Sequence, residues 1–150
     1  MRALAILIVL ASSAGAAIAA QRDWTGSAAC GSCHPAELAA WQATPHANTR
    51  VRFADAKPQA RCLACHGTGE APAGPTIAVE VGCEACHGAG SAYAPDDVMR
   101  DAPLSRALGL ADLSTPKLRA QLCASCHKRS TTGRDVDPTA PVHAVTGSKP

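Results

Sequence analysis

Eight cysteines set the chemistry that this sequence can do. They fall in four pairs, Cys30/Cys33, Cys62/Cys65, Cys83/Cys86 and Cys123/Cys126, and a histidine follows each pair at once: His34, His66, His87 and His127. C-x-x-C-H is the attachment signature of haem c. Two thiols at this spacing reach the two vinyl groups of one haem and form thioethers. The next residue then projects beneath the ring and offers its imidazole to the iron. Four motifs predict four covalently bound haem c groups, with these four histidines as proximal ligands.

Other chemistries also use paired cysteines. Four disulfides would suit a small secreted chain, but they give no reason for a histidine after every pair. With six histidines in 150 residues, four such coincidences have a chance probability on the order of 10⁻⁶. A thioredoxin-like redox site would need a βαβ pattern around the pair, and none is present. Zinc is the sharpest alternative. Cys62 to Gly69 and Cys83 to Gly90 both read C-x-x-C-x-G-x-G, the repeat of the two-zinc domain in DnaJ-type chaperones. The motifs at Cys30 and Cys123 lack those glycines, and the leader of the chain does not suit a cytosolic cochaperone.

That leader reads as an export signal. Arg2 supplies the positive start, Ala3 to Leu10 are apolar, and Ala17-Ile18-Ala19 matches an A-x-A cleavage pattern, so a cut is expected after Ala19 or Ala20. Continuous apolar character ends at Ser12, short of a membrane span. The expected organisation is therefore a cleaved signal over 1–20 and one domain over 21–150. The expected destination is the periplasm, with an extracellular or membrane-associated placement as the alternatives.

The domain has an unusual shortage. Leu, Val, Ile and Phe supply only 17 of the 130 residues after the signal, about 13%, a level associated with disorder. Alanine buries too little area to offset the entropy of ordering the backbone. Haem rings are large apolar bodies that would replace the missing core. Motif starts at 30, 62, 83 and 123 are unequally spaced, which argues against a tandem-repeat solenoid. Pro35 to Gln42 predicts a short helix ended by Thr44-Pro45. A loop is expected over Glu70 to Pro75 and a brief strand over Thr76 to Val81. Helices are expected over Leu104 to Leu113 and Pro116 to Leu122. Residues 130–150 read as a mobile tail. The fold class is mainly α with much irregular loop, wrapped on four stacked haems.

Four irons have eight axial positions, and the motif histidines fill four. The remaining good ligands are His46, His143 and Met99. Three candidates for four positions leave at least one iron open, or bound by water, Tyr93 or a lysine. His46 follows His34 by twelve residues, mostly across a helix, so the two should lie roughly 18 Å apart at 1.5 Å per residue. Two imidazoles on one metal ion have their nitrogens only about 4 Å apart. His46 must therefore serve a haem other than its own. His143 follows an irregular path through Gly133, Pro138 and Pro141 that can fold back. Met99 would raise the potential of the iron it bound, although a lone methionine also serves as a gap filler in a core.

Two stretches resemble a known family. Ser27-Ala-Ala-Cys30-Gly-Ser-Cys33-His34-Pro35-Ala-Glu37-Leu-Ala-Ala-Trp41-Gln-Ala-Thr44-Pro-His46-Ala47 is similar to the opening of the cytochrome c-554 family, and Val81-Gly82-Cys83-Glu84-Ala-Cys86-His87-Gly88-Ala-Gly90-Ser91 to its third haem motif. The resemblance runs from Ser27 to about His127. It implies a largely helical fold on closely stacked haems, with electron transfer as the activity. It further implies that His46 serves the haem on His87 and that the haem on His66 lacks a distal ligand. The family also places a histidine shortly after the third motif to serve the first haem. This sequence has none between Gly88 and Cys126, and Tyr93 and Met99 stand in that stretch. Met99 is the expected replacement, as in related multihaem chains with a similar Tyr…Met-basic-Asp run. The chain is also shorter than the family's nitrifier member.

The function expected from these features is electron transfer between redox proteins. The donor would be an upstream dehydrogenase or oxidoreductase, the acceptor a cytochrome or a membrane quinone-linked complex. Two other classes compete: an enzyme reducing a small nitrogen oxide at an open haem, and a subunit of an extracellular cytochrome filament in which His143 binds a neighbour's haem. Proton delivery is poorly provided, with only ordinary carboxylates such as Glu70 and Glu84 near the motifs. The balance of 14 basic and 12 acidic residues names no partner. Trp24, Trp41, Phe53 and Tyr93 are the only aromatics, too few for stacking on bases, so nucleic acid is not an expected partner. Haem propionates would make the loaded protein more acidic than its residues alone. Lys128, Arg129 and Arg134 form a basic cluster beside the fourth motif, suited first to pairing with propionates.

Overall fold

The computed structural model describes residues 22–53, 57–71, 73–128, 137 and 142–143. The expected signal, most of the expected tail, and Arg129 and Arg134 of the basic cluster lie outside them. About half of the described residues are helical, in short pieces joined by loops, as a small, mainly α chain should be.

In chain order the helices are α1 (Ser27–Gly31), α2 (Pro35–Gln42), a 3-10 turn (Thr49–Phe53), α3 (Ala60–His66), α4 (Cys83–His87), α5 (Asp96–Met99), α6 (Ala102–Ala107) and α7 (Pro116–His127). The haem motifs thus sit on or beside α1, α3, α4 and α7. Between α3 and α4 a small antiparallel pair, β1 (Thr68–Gly69) and β2 (Thr76–Ala78), aligns Thr68 with Ala78 and Gly69 with Thr76.

Local sequence explains most of these limits. α2 starts with Pro35 at its first position, where no amide hydrogen is needed, and Glu37 lies near its positive end. It stops where the Thr44 amide and hydroxyl both donate to the Trp41 carbonyl, at 2.8 and 2.7 Å. α7 is capped by Thr115, whose side chain accepts from the Leu118 amide at 3.3 Å. It runs five residues past the expected Leu122, because the fourth motif continues the helix to His127. α6 lies earlier than the expected Leu104 to Leu113. Asp101 caps it by accepting from the Leu104 amide at 3.0 Å, and the chain turns out at Gly109, whose φ of +117° suits glycine.

The interior bears out the shortage of apolar residues. Among the described residues, the only buried hydrophobic side chains are Trp41 and Tyr93. The rest of the buried set is polar: Ser27, Thr49, Thr68, Glu84 and Ser105. Side-chain to backbone hydrogen bonds, not apolar contact, tie the segments together. The segment 79–82 is their hub. The Val79 carbonyl accepts from the Thr49 hydroxyl at 3.2 Å, the Glu80 carbonyl from the Thr68 hydroxyl at 2.7 Å, and the Val81 carbonyl from the Trp41 indole at 2.9 Å. This is why the expected strand ends at Ala78. From Val79 onward the carbonyls are used by side chains, and no ladder continues.

Candidate functional site

Each motif is held by a different local device. α1 carries Cys30, and the His34 amide donates back to the Cys30 carbonyl at 3.0 Å. In the second motif Cys62 and Cys65 both stand half-buried on α3, the helix that ends at His66. One helical turn separates Cys62 from Cys65, so their thiols lie on the same side of α3, as attachment to one ring requires. α3 is anchored through the Thr49 hydroxyl, which donates to the His66 carbonyl at 3.0 Å. The third motif opens at Gly82, whose amide donates to the Thr68 hydroxyl at 2.8 Å. A Cβ at Gly82 would collide with Ser27 Oγ and lie 3.1 Å from Thr68 Oγ1, so any larger residue would have to displace the Ser27 hydroxyl from its place between the segments.

Glu84, between the two cysteines of the third motif, is the residue that sequence reasoning undervalued. It is 2% exposed. Its carboxylate accepts from the Thr25 amide at 2.9 Å, the Thr25 hydroxyl at 3.1 Å, the Gly26 amide at 2.8 Å and the Gly90 amide at 2.7 Å. It is therefore no ordinary surface carboxylate. It fastens the entry to the first motif onto the third.

This fastening brings the motifs together. Cys30 and Cys83 share a sulfur hydrogen bond, which holds the Cys83 thiol down at about 6; the same bond, with burial, pushes Cys30 up. Burial, followed by the charges of Cys123 and Cys126, raises Cys86 to about 11, so the third motif also adjoins the fourth. Cys126 Sγ lies 4.0 Å from the Ala64 carbonyl, between Cys62 and Cys65 of the second motif. No disulfide joins Cys65 or any other of the eight cysteines, unlike a disulfide framework. Among the described residues no group of three or more His, Cys, Asp or Glu is gathered to hold a metal ion, so the tetrahedral sets of the zinc reading are not formed.

The histidines outside the motifs meet motif histidines. His46 and His127 have ring centroids 6.1 Å apart, and His87 and His143 have theirs 6.0 Å apart. Two imidazoles on opposite sides of one metal ion, with nitrogens about 2 Å from it, have centroids roughly 6 Å apart. The centroid separations are compatible with an iron between each pair. Burial, and then the neighbouring His127, lowers the His46 pKa; burial, and then His143 and His34, lowers that of His87. Both shifts favour neutral imidazole, the ligating form. The resemblance implied that His46 serves the haem on His87; here its ring lies beside His127, and His143 lies beside His87. The Val81 amide donates to the His46 carbonyl at 3.0 Å and ties that loop to the segment leading into the third motif.

His66 has no such partner among the described residues. Its ring meets the edge of Phe53 at 5.5 Å, and its buried Nδ1 has no hydrogen-bond partner. Met99 ends α5, half-buried, and the first motif lies near, since Arg100 feels the charge of Cys33. Tyr93, considered above as an iron ligand, is committed elsewhere. Its hydroxyl donates to the Gly88 carbonyl at 2.7 Å and approaches that of His87 at 3.3 Å. Burial pushes its pKa up, away from phenolate. Lys128 stands exposed just after His127.

Four attachment motifs on a thin, polar, mainly helical scaffold define a small c-type cytochrome. A family model described as cytochrome c554 and c-prime matches residues 29–88, a stretch holding the first three motifs and His46 but not the fourth motif. The chain resembles that family there, and the similarity carries covalent haem c and electron transfer with it. No curated protein and no solved structure matches the chain.

Proposed function

We propose that this chain is an exported tetrahaem cytochrome that passes electrons between redox proteins. Cys30 and Cys33, Cys62 and Cys65, Cys83 and Cys86, and Cys123 and Cys126 hold the haems, and His34, His66, His87 and His127 are the proximal ligands. The observation that carries this reading is the meeting of His46 with His127 and of His143 with His87, each at the separation of two imidazoles on one metal ion. Eight cysteines without disulfides, and only Trp41 and Tyr93 as buried hydrophobic side chains among the described residues, support it as well.

Haem c supplies a one-electron ferric–ferrous couple. The chain's residues do the rest. His46 and His143 would each supply a second ligand to one iron, and the position of α5 beside Cys33 supports Met99 in that role for the haem on His34. His66 faces Phe53 and not a second imidazole, which supports one open iron and favours, as the second reading, reduction of a small nitrogen oxide there. Glu84 and the hub at 79–82 keep the attachment sites in contact, the arrangement a carrier needs. The leader directs the chain to the periplasm, where the donor is a dehydrogenase or oxidoreductase and the acceptor a cytochrome or quinone-linked complex.

The test is the haem content of the exported protein, by pyridine haemochrome and intact mass. Four haems per chain are expected, with one lost for each Cys-to-Ser pair. Zinc in place of haem, or fewer than four, would overturn the tetrahaem reading.

A further inference from the structure

The formal charges of this chain are nearly balanced, yet the two signs are placed apart. Residues 96–112 carry Asp96, Asp97, Asp101 and Asp112. Both arginines of that stretch are engaged: Arg100 Nε lies 2.8 Å from Asp96, and Arg106 Nε 3.8 Å from Asp112. Around the second motif the balance reverses. Arg50, Arg52, Lys57 and Arg61 are all exposed, and among the described residues none of their side chains has an ion pair. The nearby acids are Glu70, exposed at the start of the β1–β2 turn, Glu80, half-buried with its carboxylate accepting from the Ser27 hydroxyl at 3.1 Å, and Asp55, which lies outside the described residues.

The same surface has an apolar centre. Val51, between Arg50 and Arg52, is 72% exposed, and Ile77 on β2 is 44% exposed. Arg50, Lys57, Pro58, Leu63 and Ile77 line one groove, and Leu63 is inside the second motif. The 3-10 turn and α3 are tied together by the bond from Thr49 to the His66 carbonyl, which places Arg50 and Arg52 beside the second motif. A small exposed apolar patch rimmed by unpaired charge of one sign suits a brief electron-transfer encounter. Such interfaces are small, and charge steers their formation.

We propose that this face, over the second motif, docks an acidic redox protein. The inference rests on the carrier reading and adds to it the class of partner and the haem through which exchange occurs. In the exchange the partner loses one electron and one ferric haem of this chain gains it, with no proton or group transferred.

The test uses the haem-loaded full chain and, as probe, a reduced plant-type ferredoxin, a small acidic iron–sulfur protein. Stopped-flow rates are measured between about 0.01 M and about 0.5 M salt, a range over which screening becomes nearly complete. The expected wild-type rate falls steeply with salt. The R50Q/R52Q/K57Q/R61Q variant should be about tenfold slower at low salt and converge with wild type at high salt, whereas K117Q on α7 should stay within about twofold of wild type. An unchanged salt slope in the fourfold variant, or equal slowing by K117Q, would overturn the proposal. So would a loss that persists at high salt with an altered haem potential, since that would mark the four residues as propionate partners. A wild-type chain that dithionite does not reduce would defeat the carrier reading and the docking face together; a reducible chain with a salt-independent rate would defeat the docking face alone.

Discussion

Glu84 offers the most searching test of how the scaffold is held. Its carboxylate is 2% exposed and receives three backbone amides and one hydroxyl. Glu84→Ala would leave those amides buried without an acceptor, each at a cost of about 1–3 kcal/mol. The Thr25 hydroxyl can rotate to another partner, and some water will enter the space. The expected loss is therefore about 4 kcal/mol, at the severe end for a single substitution. Glu84→Gln separates shape from chemistry. One amide oxygen can still serve Thr25 and Gly90, but the new NH₂ faces the Gly26 amide, two donors without an acceptor, so a loss of about 2 kcal/mol is expected. Glu70→Ala is the matched control: Glu70 is an exposed carboxylate, and its change should stay within about 0.5 kcal/mol. Guanidinium unfolding of the haem-loaded protein, followed by far-ultraviolet circular dichroism, reads all three. Glu84→Ala and Glu84→Gln both within about 0.5 kcal/mol of wild type would refute the fastening role.

Three further outcomes follow from named contacts. Tyr93→Phe should cost about 1 kcal/mol through loss of the bond to the Gly88 carbonyl; its ferric optical spectrum should be unchanged, and altered charge-transfer bands would make Tyr93 a ligand after all. Thr49→Val removes the hydroxyl between the His66 and Val79 carbonyls and should lower stability by about 1–2 kcal/mol, read by the same unfolding curves. Gly82→Ala would push a methyl into Ser27 Oγ and close to Thr68 Oγ1; a loss of about 2 kcal/mol or more is expected in thermal melts, and a neutral result would mean that the first and third motifs are not held in contact.

The parts of this molecule legible in its sequence are those specified locally. α2 occupies Pro35–Gln42 as expected, because its start and stop lie in adjacent residues. The four attachment motifs are contiguous signals, legible without any tertiary structure. Longer-range choices were hidden. Glu84 looks like a solvated carboxylate until Thr25 and Gly26, nearly sixty residues earlier, fold over it. The tie from the Val81 amide to the His46 carbonyl is marked by no periodicity. The strand from Thr76 shortens for a related reason: side chains from Thr49, Thr68 and Trp41 capture its carbonyls. In a chain with so little apolar burial, these scattered hydrogen bonds take over the work of a core, and scattered bonds leave little local trace.

That His46 and His143 each complete the coordination of one iron is the centre of the functional reading, and carbon monoxide titration of the fully reduced protein tests it most directly. An iron with two strong axial ligands resists the gas, and an open one binds it. The wild type should take up one equivalent per chain, at the haem on His66. His46→Ala and His143→Ala should each take up two, and the double variant three. Uptake that stays at one equivalent in both single variants would contradict ligation by these two histidines.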